Sequence, residues 1–171
     1  MNKYRNLIAA GAAVALLIAL AVLWLSGQTA DQQAADQQAH ASLQSGITLF
    51  QAEEYEQAIG ALEQVPTGYE HEAKARYYEG SAYMMLGDYQ AAVERLEYAR
   101  ALAPADPGIR YALGVASFKL GNVKLAKGYF ASVLEINPMD DRERELQEQA
   151  RGLMDMMAKF ERQMATPETE Q

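Results

Sequence analysis

The chain has 171 residues, a formal net charge of −8 and no cysteine. This length fits one compact domain with a short additional segment. The lack of cysteine excludes disulfides, thiolate metal sites and a cysteine nucleophile. The acidic balance disfavours nucleic acid as a partner, because binding to phosphates needs clustered lysine and arginine.

The N-terminal segment is strongly apolar. Residues 7–25 carry no charge and are rich in Leu, Ala, Val and Ile. As a helix they would extend roughly 28 Å, close to the thickness of a bilayer core. Lys3 and Arg5 precede this segment, and no further Lys or Arg occurs before Lys74. The sequence therefore predicts a single-pass transmembrane helix with a cytoplasmic N-terminus and an exported remainder.

The alternative interpretation of this segment is a cleaved signal peptide. The best candidate cleavage site, Gln28-Thr29-Ala30, has a large polar residue where a small one is required, and the apolar run is longer than usual. An uncleaved signal anchor over residues 1–28 in the bacterial inner membrane is therefore favoured. Residues 29–41 follow as a Gln/Ala-rich stalk, whose helix formers and lack of large apolar residues predict a spacer.

A period of 34 residues organises the middle of the chain. Small residues recur at two fixed offsets, in the glycine series Gly46, Gly80 and Gly114 and the alanine series Ala58, Ala92 and Ala126. Small residues at such positions allow the two helices of a hairpin to approach closely. One such hairpin cannot cover its own apolar face, so we expect the hairpins to stack.

Turn and cap residues divide the period in the same way. Gly87 and Gly121 suit the left-handed position that ends a helix. Asp88 and Asn122 would then cap the following helices, and Asp106-Pro107 is a further helix start. The first repeat departs from this pattern, because Glu53 occupies the position of the turn glycine.

With these features, residues 42–138 resemble three tandem tetratricopeptide repeats, over 42–72, 73–105 and 106–138. The resemblance implies an all-α fold, an α-solenoid of three helical hairpins after the N-terminal transmembrane helix. Ser117 and Val123 replace expected aromatic residues, and no repeat begins with tryptophan.

A long helix is predicted after the repeats. Asp140 and Glu143 form a capping-box signal, and residues 139–164 are expected to be a capping and extension helix. An apolar stripe marks one of its faces, at Leu146, Ala150, Leu153, Met157, Phe160 and Met164. Its first half should cover the last repeat. The second half could dock on a partner or fold back into the groove, and the stripe over residues 146–164 could also mediate self-association. Residues 165–171 are predicted to be a disordered tail.

The resemblance also implies a partner-binding groove lined by the first helix of each repeat. Carried over by position, the groove residues are Leu43, Ile47 and Phe50, then Tyr77, Ser81 and Met84, then Tyr111, Val115 and Phe118, with Lys74 and Lys119 at the rim. Such a groove suits an apolar helix or an extended segment. The polar clamp with which one subclass binds acidic chaperone tails is missing, and each residue could instead pack only between adjacent helices.

No catalytic, metal or cofactor motif is found, because His40 and His71 are far apart in sequence and lie outside any such pattern. We therefore expect a protein that is not an enzyme and takes no cofactor. The predicted function is a membrane-anchored scaffold for protein–protein interactions in the bacterial envelope, with its repeats in the periplasm and residues 7–25 in the lipid bilayer. It would tether a membrane or periplasmic complex or assist its assembly. The alternative is a constitutive small accessory subunit of a large inner-membrane complex.

Overall fold

The computed structural model describes residues 31–165 of the chain. The chain divides into two compact units, residues 1–41 and 42–171. In the first unit, the described residues 31–41 are helical. The helical run continues to residue 51, and its part in the second unit, residues 42–51, is α1.

The second unit contains further helices in chain order. They are α2 (Tyr55–Leu62), α3 (Glu72–Met85), α4 (Tyr89–Leu102), α5 (Pro107–Lys119), α6 (Val123–Leu134) and α7 (Asp141–Ala165). Helices α1 to α6 form three consecutive hairpins, and α4 packs on α5 as α2 packs on α3. An all-α helical solenoid is therefore confirmed.

The turns inside the three hairpins have the same backbone geometry. Gly87 and Gly121 have φ angles of +82° and +79°, which confirms the left-handed conformation predicted for them. Glu53, at the same offset, has a φ angle of +62° although it is not glycine. In each turn the N–H of this residue donates to a carbonyl three residues earlier, and the next N–H donates to a carbonyl five residues earlier. This is the hydrogen-bond pattern of a Schellman motif.

Three of the four predicted helix caps are present. Asp88 accepts a hydrogen bond from the Ala91 N–H, and Asp106 accepts bonds from two N–H groups at the start of α5. Asp140 accepts from the Glu143 N–H at 2.8 Å, while the Glu143 carboxylate accepts from the N–H of Met139. The prediction for Asn122 was wrong, because its side chain makes no capping hydrogen bond to α6.

The repeated glycines lie where two helices meet. A Cβ atom placed on Gly114 would lie 2.5 Å from the ring of Phe130, and one on Gly80 would lie 2.6 Å from Leu96. No side chain fits in that space without movement of its neighbours, so the close approach predicted from the 34-residue period is confirmed.

Three clusters of buried side chains form the core, one at each successive junction. The first joins α1, α2 and α3 through Leu43, Ile47, Leu62, Val65 and Ala75. The second joins α4 and α5, and the third joins α6 and α7 around Phe130, Ala150 and Met157. Because each cluster links a hairpin to the hairpin or helix that follows it, stability in this unit comes from contacts between adjacent elements of the stack.

The prediction of a transmembrane helix is corrected. Among residues 31–165, no helix combines the length and the apolar character needed to cross a bilayer, so the membrane-spanning part of the predicted fold is not supported. The longest of these helices, α7, has only an apolar stripe on an otherwise charged surface. The segment predicted to cross, residues 7–25, lies outside the described residues. Of the tail predicted over 165–171, Ala165 is instead the last residue of α7, and the rest lies outside the described residues.

Candidate functional site

The predicted groove residues of the first hairpin divide into buried and accessible positions. Leu43 and Ile47 are 4% and 8% exposed and belong to the core cluster that joins α1 to α2 and α3. Phe50 is half-buried at the end of α1. Only Phe50 of these three therefore offers a partly accessible side chain.

An aromatic row extends from the first hairpin to the second. The ring of Phe50 lies 5.6 Å from that of Tyr55 and 5.4 Å from that of Tyr78, centre to centre, in edge-to-face contact. The rings of Tyr78 and Tyr77 are again 5.4 Å apart. These four rings hold one another in fixed orientations, so the surface is preformed and apolar.

The second hairpin contributes the other residues predicted for α3. Ser81 is buried, and its hydroxyl donates to the Tyr77 carbonyl oxygen at 2.8 Å, so it does not face a partner freely. Met84 is half-buried and packs against the cluster between α4 and α5. Lys74 is exposed beside the aromatic row.

The three residues predicted on α5 pack toward the C-terminal helix. Tyr111, Val115 and Phe118 are all half-buried and contact the cluster formed by α6 and α7. The ring of Tyr111 lies 5.7 Å from that of Phe130. Lys119, at the end of α5, is exposed. In the third hairpin much of the predicted groove surface is therefore occupied by contacts within the chain.

A cavity of about 370 Å³ lies on the face formed by α3, α5 and the start of α7. Its lining includes Lys74, Tyr77 and Tyr78 from α3, Asp106 and Ile109 from the start of α5, and Arg142 from α7. We call this cavity the groove pocket. It brings together two of the predicted residues, Lys74 and Tyr77, and does not include those of the first or third hairpin.

A residue without a side chain, Gly108, lies close to two residues that line the groove pocket, Asp106 and Arg142. Lys74, Gly108 and Arg142 follow one another at intervals of 34 residues, so Arg142 has the offset in α7 that Lys74 has in α3. Gly108, between them in the series, has no side chain. A Cβ atom placed there would lie 3.9 Å from the Arg142 guanidinium.

The groove pocket is lined by both acidic and basic side chains. The Nε2 atom of His71 lies 3.2 Å from a carboxylate oxygen of Glu70 on its rim. Burial raises the pKa of the Tyr77 phenol above its ordinary value, and the nearby Arg142 guanidinium opposes this effect. Tyr77 is therefore neutral at physiological pH and presents an aromatic ring with one hydroxyl.

Sequence reasoning did not identify the part of the groove pocket supplied by Arg142, Asp106 and Tyr78. Continuing the 34-residue period past the third repeat would have identified Arg142. The predicted repeats end at residue 138 because the glycine and alanine series have their last members at Gly114 and Ala126. Arg142 nevertheless keeps the 34-residue offset and lines the same pocket as Lys74.

Sequence reasoning also missed a buried ionic junction below this face. The Arg76 guanidinium pairs with Glu79 and Glu72 and donates to the Val65 carbonyl oxygen at 2.7 Å. Glu79 is fully buried, and its second carboxylate oxygen lies 3.6 Å from Arg95. Burial raises the pKa of the Glu79 carboxyl, and the two arginines oppose the shift. The group joins the first hairpin to the second and is too enclosed to contact a partner.

No arrangement for metal chemistry is visible in the part of the chain that the structure describes. Within residues 31–165, no group of three or more His, Asp or Glu side chains could hold a metal ion. His71, one of the two histidines, is exposed on the rim of the groove pocket. What the groove face offers is a shaped surface of aromatic rings and cations.

Solved structures of similar fold include several peptide complexes. A T3SS complex from Aeromonas hydrophila has a TM-score of 0.66 at 18% identity, covering 75% of this chain and 85% of that one. PcrH in complex with the chaperone-binding region of PopB has a TM-score of 0.62 at 16% identity, covering 68% and 94%. The second TPR domain of human RPAP3, in complex with an HSP70 peptide, has a TM-score of 0.59 at 21% identity, covering 68% and 98%. At these identities the likeness shows the fold.

Two family models, both described as tetratricopeptide repeat, match residues 43–107 and 83–150. Together they cover well over half of the chain. A comparison with curated protein sequences gives no match. The family models, the stacked hairpins and the structural neighbours agree, and the chain belongs to the tetratricopeptide repeat family of α-solenoid scaffolds for protein–protein interaction.

Proposed function

We propose that this chain binds a peptide segment of a partner protein on the groove face of its first two hairpins, and thereby tethers a protein complex or assists its assembly. The observation that carries the proposal is the groove pocket. It is about 370 Å³ in volume, within the range of ligand pockets, about 300–1,000 Å³. The aromatic row leads into it from Phe50 to Tyr77.

The chemistry of the groove pocket indicates what the segment contains. Tyr77 and Tyr78 present preformed ring faces, which favour an apolar side chain of the partner. Lys74 and Arg142 both line the groove pocket and can bind carbonyl oxygens of an extended or helical backbone. The peptides in the RPAP3 and PcrH complexes support this mode of binding by analogy of fold.

The binding surface is expected to centre on α3 because the predicted groove residues differ in burial among the three hairpins. In the first, Leu43 and Ile47 are in the core. In the third, Tyr111 and Val115 pack against the cluster of α6 and α7. In the second, Lys74 is exposed, and Tyr77 lines the groove pocket although it is half-buried against the cluster of α4 and α5.

Site-specific photocrosslinking in cells tests this proposal. A photoreactive phenylalanine analogue in place of Tyr77 should give discrete crosslinked products. The same analogue at Leu102, which is 44% exposed at the end of α4, is the matched control and should give none. Equal products from both positions would refute a binding site on the groove face.

The alternative, a constitutive small subunit of a large complex, predicts a different stoichiometry. A permanent subunit co-purifies with its partners in fixed ratio, whereas a tether or assembly factor is recovered with a small fraction of them. Quantitative mass spectrometry of the purified complex separates the two. The location in the bacterial envelope stays a prediction, and the proposed binding mode does not depend on it.

A further inference from the structure

A second cavity lies away from the groove pocket, between the α5–α6 turn and the C-terminal half of α7. It has a volume of about 610 Å³, well within the range of ligand pockets, about 300–1,000 Å³. Phe118 and Val123 line one side, and Met156, Phe160 and Met164 line the other. We call it the α7 groove.

The apolar side chains of the α7 groove are unusually exposed. Phe160 is 63% exposed, Met164 is 73% exposed and Met156 is 46% exposed, whereas Met157, next to them, is 3% exposed against α6. The stripe on α7 is therefore covered by the third hairpin only in part. A contiguous apolar surface of this kind marks an interaction site.

The charges around the α7 groove are opposite in sign to those of the whole chain. The two segments that line it, residues 118–127 and 156–164, contain five basic residues and one acidic residue, in a chain of net charge −8. The acidic residue, Glu161, pairs with Lys127. Within the part of the chain that the structure describes, the remaining lysines form no ion pair: Lys119, Lys124 and Lys159.

This charge argues against a second copy of the chain as the occupant. A twofold contact between two α7 grooves would bring two net-basic surfaces together, and like charges opposed across an interface are unfavourable. An occupant with acidic residues beside its apolar face would pair with these lysines instead.

The dimensions fit a helix. Met156, Phe160 and Met164 follow at four-residue steps along about 12 Å of α7, which is the length over which a neighbouring helix places three anchors on one face. Methionine side chains adapt to differently shaped apolar partners, and they supply two of the three exposed positions.

We propose that the α7 groove binds an amphipathic helix of a partner protein, with an apolar face flanked by Asp and Glu. This site goes beyond the proposed function, because it shares no lining residue with the groove pocket. A partner would use the two sites independently or hold both with separate segments.

Fluorescence anisotropy with two designed peptides tests this inference on the full-length chain. Both are labelled 18-residue helices with the same leucine face, one flanked by Glu and the other by Lys. We expect the Glu peptide to bind at least tenfold more tightly. Because Phe160 would bury most of its exposed ring against the peptide, Phe160→Ala should weaken binding by about tenfold or more.

Two further variants serve as controls. Met139→Ala removes another exposed apolar side chain, 89% exposed in the loop before α7, and should leave the Kd of the Glu peptide unchanged. Tyr77→Ala should also leave it unchanged, which separates this site from the groove pocket. Circular dichroism of the Phe160→Ala variant checks that its helix content is retained.

Four outcomes would overturn the inference. The first is equal affinity for the Glu and Lys peptides, and the second is binding that does not respond to Phe160→Ala. The third is a dimer in sedimentation that Phe160→Ala dissociates, which would assign the groove to a second copy. The fourth is binding to anionic phospholipid vesicles that depends on Phe160 when the Glu peptide does not bind, which would assign it to a lipid surface.

Discussion

Glu53→Gly is predicted to stabilise the protein. Glu53 has a φ angle of +62° in a turn where the second and third hairpins have glycine. A left-handed conformation costs a residue with a side chain roughly 1–2 kcal/mol. Glycine removes this cost but loses about 0.4–1 kcal/mol through the greater freedom of the unfolded chain. The expected net gain in the free energy of unfolding is therefore about 1 kcal/mol.

The structure indicates that the substitution removes little else. The Glu53 side chain is exposed, and the backbone bond from its N–H to the Phe50 carbonyl oxygen, at 3.1 Å, does not depend on the side chain. Glycine makes the same bond at position 87, to the Met84 carbonyl oxygen at 3.1 Å. The strain at Glu53 should thus be released without loss of the turn.

Urea unfolding followed by circular dichroism measures the effect. The midpoint of Glu53→Gly should rise while the slope stays constant. Glu56→Gly, which also removes an exposed carboxylate but lies within α2, is the matched control and should lower the free energy of unfolding by about 1 kcal/mol. An unchanged or lower midpoint for Glu53→Gly would refute the argument from backbone strain.

Three further predictions concern packing, pH and capping. Gly114→Ala should destabilise the protein by about 1–2 kcal/mol in urea unfolding, because the new methyl group overlaps a buried ring. Gly128→Ala, with no atom near its Cβ position, should instead stabilise the protein by up to about 1 kcal/mol. The opposite order of stabilities would refute the packing argument. The pKa of the Glu79 carboxyl is raised in the folded state. Its favourable contribution to the free energy of unfolding is therefore fully present below the pKa that it has in the unfolded chain, and it is lost as pH rises through the pKa of the folded state. The stability of Glu79→Gln relative to the native protein should therefore increase from pH 4 to pH 7, and a decrease would show that the arginines dominate. Asp106→Ala should cost about 1 kcal/mol through the loss of its cap, whereas Asn122→Ala should cost almost nothing, and equal losses in thermal unfolding would contradict the structure.

Much of the hairpin architecture could be predicted from the sequence because it depends on local rules. The interval between glycines indicates where helices meet. Gly87 indicates a turn, and Asp106 indicates the start of a helix. Caps are less certain, since Asn122 has a suitable side chain that does not reach its donor. A local sequence pattern indicates which hydrogen bonds a side chain can form, but not which of them it forms in the folded chain.

The groove was harder to predict because exposure depends on helices distant in sequence. Leu43 and Tyr77 have the same offset in their repeats. Leu43 is buried in the cluster that joins the first two hairpins, while Tyr77 lines the groove pocket. The ionic junction at Glu79 was missed for the same reason, since nothing in the adjacent sequence distinguishes a buried glutamate from a solvated one.

The ionic junction makes the order of the hairpins matter. Arg76 satisfies a carbonyl oxygen at the end of the first hairpin, while the position that matches Glu79 in the third hairpin is Leu113, within an apolar cluster. If the second and third hairpins exchanged places, Arg76 and Glu79 would move together, and their ion pair would no longer adjoin the Val65 carbonyl oxygen of the first hairpin. Each hairpin therefore has contacts that suit only its own position in the stack, although all three have the same fold.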